Sequence, residues 1–301
     1  MGPTASGKTD LAIELVKHYP FEIISVDSAL VYMDMNIGTA KPDRDELAIA
    51  PHRLIDFLDP AQTYSTASFR EDALAAMDDI RSRDKIPLLV GGTMLYHRSL
   101  LYGLSDLPKA DELIRSRLDA EAKLNGAQYM HRKLMAIDPD AAKKIHPNDP
   151  QRVQRALEVH EISGKTMTQL QQENQAEALP WDTYKIIVAP RSRDLLRERI
   201  ALRFNNMIKQ GFIEEVERLF ARGDLDLSLP SMRAVGYRQV WEYLQGKMNK
   251  EQMIERGITI TRQFAKRQMT WLRREDDALW LATEDDDIFQ QAVNYLQPVL
   301  S

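Results

Sequence analysis

The chain has 301 residues, of which 44% are hydrophobic and 28% are charged, and its formal net charge is −5. This length suits one large α/β domain, or a core domain with a smaller one, and the apolar content is that of a globular protein. The absence of cysteine excludes disulfides and cysteine-based zinc sites, and no apolar run reaches the ~18–20 residues that cross a bilayer. We therefore expect a cytoplasmic protein without membrane association, in which any nucleic-acid binding needs a local basic surface.

The chain begins with a glycine-rich motif. Gly2-Pro3-Thr4-Ala5-Ser6-Gly7-Lys8-Thr9 fits the phosphate-loop pattern G-x-x-x-x-G-K-[ST] at every position. Backbone N–H groups of such a loop converge on phosphate oxygens, Lys8 adds positive charge, and the Thr9 hydroxyl is placed to ligate Mg²⁺. The motif predicts that a di- or triphosphate binds here, but it does not show that this ligand is a nucleotide. It normally follows a buried strand, whereas only Met1 precedes it here, so the strand is either missing or supplied otherwise.

Strand and helix patterns alternate after the loop. Strands are predicted at 21–26, 53–57, 86–90, 184–189 and 278–281, and helices at 65–83, 94–101, 194–209, 211–222, 233–244 and 250–274. Between 111 and 175 the patterns are helical only, and Gly164 reads as a helix C-cap. These features predict an α/β fold with a P-loop parallel-sheet core, formed by 1–110 and 176–301, and an all-helical insertion domain at 111–175.

Two polar positions follow predicted strands. Asp27 comes directly after the first strand, and Thr93 follows Gly91-Gly92 after the third. Ligands of a parallel sheet bind beyond the carboxyl ends of its strands, so both residues are expected near the phosphate site. Asp27 suits a Mg²⁺ ligand, a general base or a local cap, and Thr93 suits either a phosphate or nucleic-acid contact or an ordinary tight turn.

Basic residues concentrate near the C-terminal end. The segment from Arg256 to Arg274 contains six basic residues and no acid. A charge run is more often a solvated helix face, but in a chain of net charge −5 an acid-free segment of 19 residues favours contact with phosphates. Residues 151–155 and 233–238 add basic and polar groups that are typical of ordinary helix surfaces.

Several motifs, in order along nearly the whole chain, resemble bacterial tRNA dimethylallyltransferases, also called tRNA isopentenyltransferases. The matching segments are Gly2–Thr9, Ser25–Tyr32, Ile37–Pro42, Pro51–Asp56, Leu89–Tyr96, His146–Arg152, Arg233–Gln239 and Thr261–Arg273. The resemblance implies transfer of a dimethylallyl group from dimethylallyl diphosphate to N6 of adenosine 37, beside the tRNA anticodon, with Mg²⁺ as cofactor. It also implies that the helical insertion grips the anticodon stem-loop.

The resemblance further assigns roles to individual residues. Asp27 matches the catalytic aspartate, Thr93 a threonine at the reaction centre, and Arg203 an arginine that contacts the diphosphate together with Gly2–Thr9. Without the resemblance, Arg203 reads as a surface residue. The implied tRNA contacts are Asp27, Ser28, Ala29, Leu30, Thr93, Arg115, Gln151, Arg152, Val153, Gln154, Arg155, Arg233, Ala234, Val235, Gly236, Tyr237, Arg238, Lys266, Arg267, Gln268, Met269, Thr270, Trp271, Leu272 and Arg273.

Three other functions remain to be weighed. An adenylate isopentenyltransferase, which acts on free nucleotide, is disfavoured because a small substrate needs neither the helical insertion nor the basic C-terminal helix. A small-metabolite P-loop kinase is disfavoured because the third predicted strand ends in Gly91-Gly92-Thr93 and not in an acid. A non-catalytic RNA-binding protein would not need Lys8, Thr9 and Asp27 together. We expect the enzyme to act as a monomer with tRNA and dimethylallyl diphosphate as its partners.

Overall fold

The computed structural model describes residues 1–105, 107–173 and 178–300, which divide into two compact units. The core unit comprises Met1–Leu100 and Trp181–Ser301, and the helical unit comprises Leu101–Pro180. The helical unit thus begins earlier and ends later than the predicted insertion at 111–175. Of that insertion, residues 174 and 175 lie outside the described residues.

Five short strands lie in the described part of the core unit, and neighbouring strands of each sheet run parallel. They are β1 (Phe21–Ser25), β2 (His52–Arg53), β3 (Ile86–Val90), β4 (Ile186–Ala189) and β5 (Leu279–Ala282). One sheet has the order β2-β1-β3 and the other pairs β4 with β5, with Ile23 opposite Leu88 and Ile187 opposite Trp280. Parallel strands with helical connections confirm the predicted α/β class.

Strand β2 is shorter than the predicted 53–57. Leu54 and Asp56 adopt positive φ angles of 61° and 57°, which end the extended backbone after Arg53. Left-handed backbone at non-glycine residues is uncommon, and the apolar pattern of this segment does not reveal it. The prediction of a full strand here was therefore wrong.

Met1 supplies a strand-like residue directly before the phosphate loop. Its N–H donates to Ile186 O at 2.7 Å and its carbonyl accepts from Val188 N at 3.0 Å, which is the hydrogen-bond pattern of a parallel ladder beside β4. A Cβ at Gly2 would lie 2.4 Å from Val188 O, so glycine permits this close approach. The loop is thereby attached to the sheet, as a phosphate loop requires.

Fourteen helices lie in the described part of the chain. In order they are α1 (Lys8–His18), α2 (Arg44–Ile49), α3 (Thr66–Arg81), α4 (Met94–Leu101), α5 (Glu112–Asn125), α6 (Ala127–Ile137), α7 (Pro139–Lys144), α8 (Pro150–Ser163), α9 (Met167–Glu173), α10 (Arg193–Lys209), α11 (Phe212–Ala221), α12 (Tyr237–Leu244), α13 (Lys250–Leu272) and α14 (Ile288–Leu300). The sequence did not predict α2, although Asp43 and Glu46 form its capping box. None of the described helices has the length and apolar character needed to cross a membrane.

Separate hydrophobic cores stabilise the two units. In the core unit, α13 packs against α10 and α12, around fully buried Phe212 and Tyr237. In the helical unit, α5 to α8 pack around Leu118, Leu134 and Leu157. Gly164 ends α8 with a left-handed φ of 70°, which confirms the predicted C-cap.

Candidate active site

The phosphate loop opens onto a cavity of about 440 Å³ in the core unit, here called the phosphate-loop cavity. Thr4, Ala5, Lys8 and Thr9 line it, whereas Gly2, Pro3, Ser6 and Gly7 do not. Ala5 and Gly7 have left-handed φ angles of 62° and 82°, which turn the chain sharply into α1. The N-terminal end of this 11-residue helix therefore faces the cavity and favours an anion there.

Lys8 is the basic group of this loop. Its Nζ donates to Pro3 O at 3.3 Å, and it forms no ion pair within the described residues. Burial lowers the pKa of Lys8 to about 8, and the nearby Asp27 opposes that shift. A lysine that is desolvated without a direct partner gains most when an anion enters the cavity.

The ends of β1 and β3 place Asp27 and Thr93 on the same cavity. Asp27 Oδ1 accepts a hydrogen bond from Ala29 N at 2.9 Å, and Thr93 Oγ1 accepts one from Ser28 N at 3.1 Å. A Cβ at Gly91 would lie 2.0 Å from Val26 O, so glycine is needed where these chain segments meet. The structure therefore brings together the two polar positions that the strand pattern predicted.

Arg203 extends from α10 into the wall of the cavity. Its guanidinium donates to Thr39 O at 3.4 Å, and no carboxylate of the described residues forms an ion pair with it. Burial lowers the pKa of Arg203, and Asp27 acts in the opposite direction. A cation that is largely removed from water without an ion partner is poised to bind an anion.

An apolar wall adjoins Arg203. It consists of Ile200, Phe204, Met207 and Phe212. None of these residues was predicted as part of the site, because apolar positions at helical spacing along α10 and α11 look like ordinary core. The cavity thus combines an anion-binding end with an apolar surface.

Buried Glu215 holds the chain segment that carries Thr39. Its carboxylate accepts hydrogen bonds from the backbone N–H groups of Asn36, Ile37 and Gly38 at 2.7–3.1 Å, and from the Tyr237 hydroxyl at 2.6 Å. Gly38 and Thr39 line the cavity. Sequence reasoning missed Glu215, which reads as one more charge on an amphipathic helix.

Gln268 joins the phosphate loop to the loop after β3. Its Oε1 accepts from Thr4 N at 2.9 Å, and its Nε2 donates to Gly92 O at 2.8 Å. The side chain is buried, and both ends of its amide are engaged within the protein. Although Gln268 was predicted as a tRNA contact, its side chain acts here as a bridge within the cavity wall.

The predicted tRNA-binding residues of the core unit fall into three groups. Those that line the phosphate-loop cavity are Asp27, Ser28, Ala29, Leu30, Thr93, Arg233, Ala234, Val235, Gly236, Tyr237, Arg267 and Gln268. Those outside it but partly or fully exposed are Arg238, Lys266, Met269, Thr270, Trp271 and Arg273. Leu272 is the third group, because its side chain is fully buried; the side chain of Tyr237 is fully buried as well, although that residue borders the cavity.

The helical unit carries the remaining predicted tRNA contacts. Arg115 and Arg155 both donate to the buried carboxylate of Glu158, at 2.9 and 2.7 Å. Burial alone would raise the pKa of Glu158, but these hydrogen bonds and one from Asp111 N lower it. Gln154 Nε2 donates to Arg115 O, Arg152 is exposed, and Val153 is buried in the core of the unit. Arg152 is therefore the predicted cation here that is most open to a partner.

Side chains with oxygen atoms that could bind a divalent cation line the cavity beside the phosphate loop. Thr9, Asp27 and Ser25 all line the cavity, and the buried Ser25 hydroxyl has no hydrogen-bond partner among the described residues. Mg²⁺ prefers oxygen ligands and is usually held by one or two protein groups together with substrate phosphates. The residues present fit such an ion.

Comparisons with known proteins place the chain in a family. A family model described as IPP transferase matches residues 30–275, and one described as isopentenyl transferase matches residues 1–56. The structure resembles a full-length tRNA isopentenylpyrophosphate transferase from Bacillus halodurans at 36% identity, covering 99% of this chain and 94% of that one, with a TM-score of 0.72. It also resembles a tRNA delta(2)-isopentenylpyrophosphate transferase from Staphylococcus epidermidis at 33% identity, covering 99% and 97%, with a TM-score of 0.71.

A third solved structure is a eukaryotic dimethylallyltransferase acting on tRNA. It is 28% identical and covers 97% of this chain and 76% of that one, with a TM-score of 0.83. These matches confirm the resemblance inferred from the motifs. Because the IPP transferase model spans most of the sequence and the two bacterial structures are more than 30% identical over nearly full length, the chain is an enzyme that belongs to the IPP transferase family.

Proposed function

We propose that this protein is a tRNA dimethylallyltransferase that modifies N6 of adenosine 37, next to the anticodon. One observation carries the proposal: the phosphate loop, the apolar wall and Asp27 share a single cavity. The anion-binding end suits a diphosphate, the apolar wall suits a five-carbon prenyl group, and Asp27 supplies a carboxylate where these two regions meet. The solved relatives named as tRNA isopentenylpyrophosphate transferases support the same substrates.

The diphosphate of the donor binds at the phosphate loop. The backbone N–H groups of Ala5, Lys8 and Thr9, the N-terminal end of α1 and the Lys8 ammonium act on its oxygens from one side, and Arg203 acts from the wall. All of them are in place before the reaction, so they stabilise the charge that develops on the departing diphosphate without rearranging. The prenyl group lies against Phe204 and Met207, with the fully buried Phe212 behind them.

Mg²⁺ fits as the cofactor of this site. Thr9 would hold it together with diphosphate oxygens, and the Ser25 hydroxyl, which lines the same cavity, is a further oxygen ligand. The family as a whole suggests a divalent metal. When bound, the ion supplies positive charge to the leaving diphosphate.

The acceptor nitrogen needs assistance, because the lone pair of the exocyclic amine of adenine is conjugated with the ring. Asp27 orients the amine and accepts its proton as general base. The N6–C1 bond forms, and the bond between C1 of the prenyl group and the diphosphate oxygen breaks, with its electron pair leaving on the diphosphate. Thr93 lies beside Asp27 on the cavity surface and holds the Ser28 backbone at 3.1 Å.

The adenine must leave its stack in the anticodon loop to reach this cavity. Arg233 and Arg267 line the cavity and suit contacts with nearby phosphates, and Phe264, which Arg267 covers at 5.8 Å, suits stacking with a base. In the helical unit we propose the exposed Arg152, together with Arg115, Gln151, Gln154 and Arg155, as contacts of the anticodon stem-loop. Val153, Tyr237 and Leu272 are left out of this interface because their side chains are buried.

One transfer assay tests the proposal. The protein is incubated with Mg²⁺ and radiolabelled dimethylallyl diphosphate, and with either tRNA containing an unmodified adenosine 37 or AMP. We expect label in the tRNA only, and a tRNA with guanosine at position 37 serves as the matched control. Label in AMP but not in tRNA would instead identify an adenylate isopentenyltransferase. This is the alternative to exclude, because a model described as isopentenyl transferase matches residues 1–56.

A further inference from the structure

A second cavity, of about 490 Å³, lies between the first half of α10 and the last half of α13. It is distinct from the phosphate-loop cavity, and Ile200 is the residue that contributes to the walls of both. Its floor is apolar and includes buried Leu196, Ile200 and Ala265, with Met269 packed against them. We call it the basic groove, because of the side chains along its edges.

Six cations and no acid line the basic groove. Three come from the α10 side and three from α13: Arg191, Arg193, Arg197, Arg262, Lys266 and Arg273. All six are exposed. Arg191 pairs with Asp285 and Arg197 with Asp194, whereas the other four form no ion pair among the residues that the structure describes. In a chain of net charge −5, this is a local concentration of unneutralised positive charge.

The spacing of these cations fits an extended polyanion. Arg262, Lys266 and Arg273 lie within about 40° of one another around α13 and span about 16 Å along its axis. A compact anion requires donors that converge on one point, whereas these cations follow a line. Successive phosphates of a nucleic-acid strand present their charges in such a line.

Two further features favour a phosphate chain. The N-terminal end of α10, capped by the Ser192 side chain, is part of the groove wall and carries the positive end of a 17-residue helix. On α13, Lys266 in the groove directly precedes Arg267 and Gln268 in the phosphate-loop cavity. The two sites are thus separated by about the width of one helix, ~10 Å.

We propose that the basic groove binds backbone phosphates of the tRNA at a distance from the modified adenosine. Arg193, Arg197 and Arg262 are the contacts that this inference adds to the interface, and they make the grip independent of sequence. The inference rests on the proposed function, because it assumes that tRNA is the acceptor. It predicts that the groove contributes to tRNA affinity and not to the chemical step.

The test uses the double variant Arg193→Glu/Arg262→Glu in the full chain, with fluorescence anisotropy of labelled tRNA at several salt concentrations. We expect Kd for tRNA to rise at least tenfold and the slope of log K against log salt to become shallower by about 2. The KM for tRNA rises in parallel, while kcat at saturating tRNA and Kd for dimethylallyl diphosphate stay within twofold.

Arg218→Glu/Lys250→Glu is the matched control, because it makes the same change in charge at exposed positions of the core unit outside both cavities. Tight tRNA binding by the groove variant, equal to that of this control, overturns the proposal. If the double variant has a lower Tm than the wild type, the variant Arg193→Gln/Arg262→Gln replaces it in the test. For that variant we expect Kd for tRNA to rise severalfold.

The outcomes also separate the groove from the proposed function. A wild-type chain that modifies tRNA, with groove variants that bind tRNA normally, overturns the groove alone. A wild-type chain that neither binds nor modifies tRNA overturns both. A poly-glutamate peptide tests for a different acidic occupant. If the double variant loses binding of this peptide but retains tRNA binding, the groove proposal is overturned.

Discussion

The hydroxyl of Tyr237 donates a 2.6 Å hydrogen bond to the buried carboxylate of Glu215. Burial, followed by the charge of Glu215, raises the pKa of Tyr237, so this hydroxyl remains a donor throughout the working pH range. The same carboxylate holds three successive N–H groups of the loop at 36–38. Tyr237, which was predicted as a tRNA contact, is thus a buried residue that supports the cavity wall.

Glu215→Gln tests this support. An amide has one acceptor oxygen and turns an NH₂ group toward backbone donors, so we expect the free energy of unfolding to fall by about 3 kcal/mol. Kd for dimethylallyl diphosphate also rises, because Thr39 O, which accepts from Arg203, belongs to the loop that Glu215 holds. Urea denaturation and donor titration measure the two effects. The exposed neighbour provides a matched control, since Glu214→Gln leaves both unchanged; equal behaviour of the two variants contradicts the role.

Asp27→Asn tests the general base. Asparagine retains the shape of the side chain and an oxygen for Ala29 N, but it cannot accept a proton, so we expect kcat to fall about 100- to 10,000-fold. Single-turnover transfer and tRNA anisotropy separate chemistry from binding, and tRNA affinity stays within threefold. Asp34→Asn is the control, because Asp34 is exposed and asparagine tolerates its φ of 62°. Loss of tRNA binding in parallel with activity argues against proton transfer by Asp27.

Lys8 predicts a pH dependence of donor binding. Burial holds its pKa at about 8 in the free protein, so the ammonium is present below that pH and is lost above it. The affinity for dimethylallyl diphosphate therefore falls about tenfold between pH 7 and pH 9. Isothermal titration across this range measures the effect. In Lys8→Arg the charge persists, so any remaining affinity is nearly independent of pH in this window; a flat wild-type profile rules out the predicted titration.

The ion pairs of Glu22 make the free energy of unfolding depend on pH in acid. Glu22 accepts hydrogen bonds from Arg83 and Arg53 and is itself buried, and these partners lower its pKa to about 2. Because the folded pKa lies below the ordinary value, the stabilisation is complete above about pH 4.5 and is lost as the pH falls toward 2. We expect Glu22→Gln to lower the unfolding free energy by about 2 kcal/mol at pH 7.

The difference between wild type and Glu22→Gln should shrink steadily from pH 5 to pH 3 in denaturation experiments. Glu14→Gln is the control: Glu14 pairs with Lys17 on the surface, and its replacement leaves stability close to that of the wild type at each pH. A Glu22→Gln deficit that stays constant down to pH 3 would show that the network does not act through ionisation of Glu22.

The sequence by itself determined the phosphate loop, the positions of Asp27 and Thr93, and four of the five strands. These features depend on local properties: a motif with fixed spacing, apolar periodicity, and the rule that parallel strands present their carboxyl ends at one edge. Strand β2 was overestimated because the left-handed backbone at Leu54 and Asp56 leaves no mark in the apolar pattern.

Only the tertiary structure decided which side chains meet. Gln268 bridges Thr4 and Gly92, and Glu215 holds residues 36–38, over separations of more than 170 positions in the chain. The basic groove likewise combines cations of α13, which the sequence already favoured for contact with phosphates, with cations of α10 that no sequence pattern singled out. Such contacts depend on how distant elements pack, and periodicity within one element contains no information about its neighbours. Local sequence therefore identified the phosphate site and the family that its motifs resemble, and long-range packing decided which residues support the site.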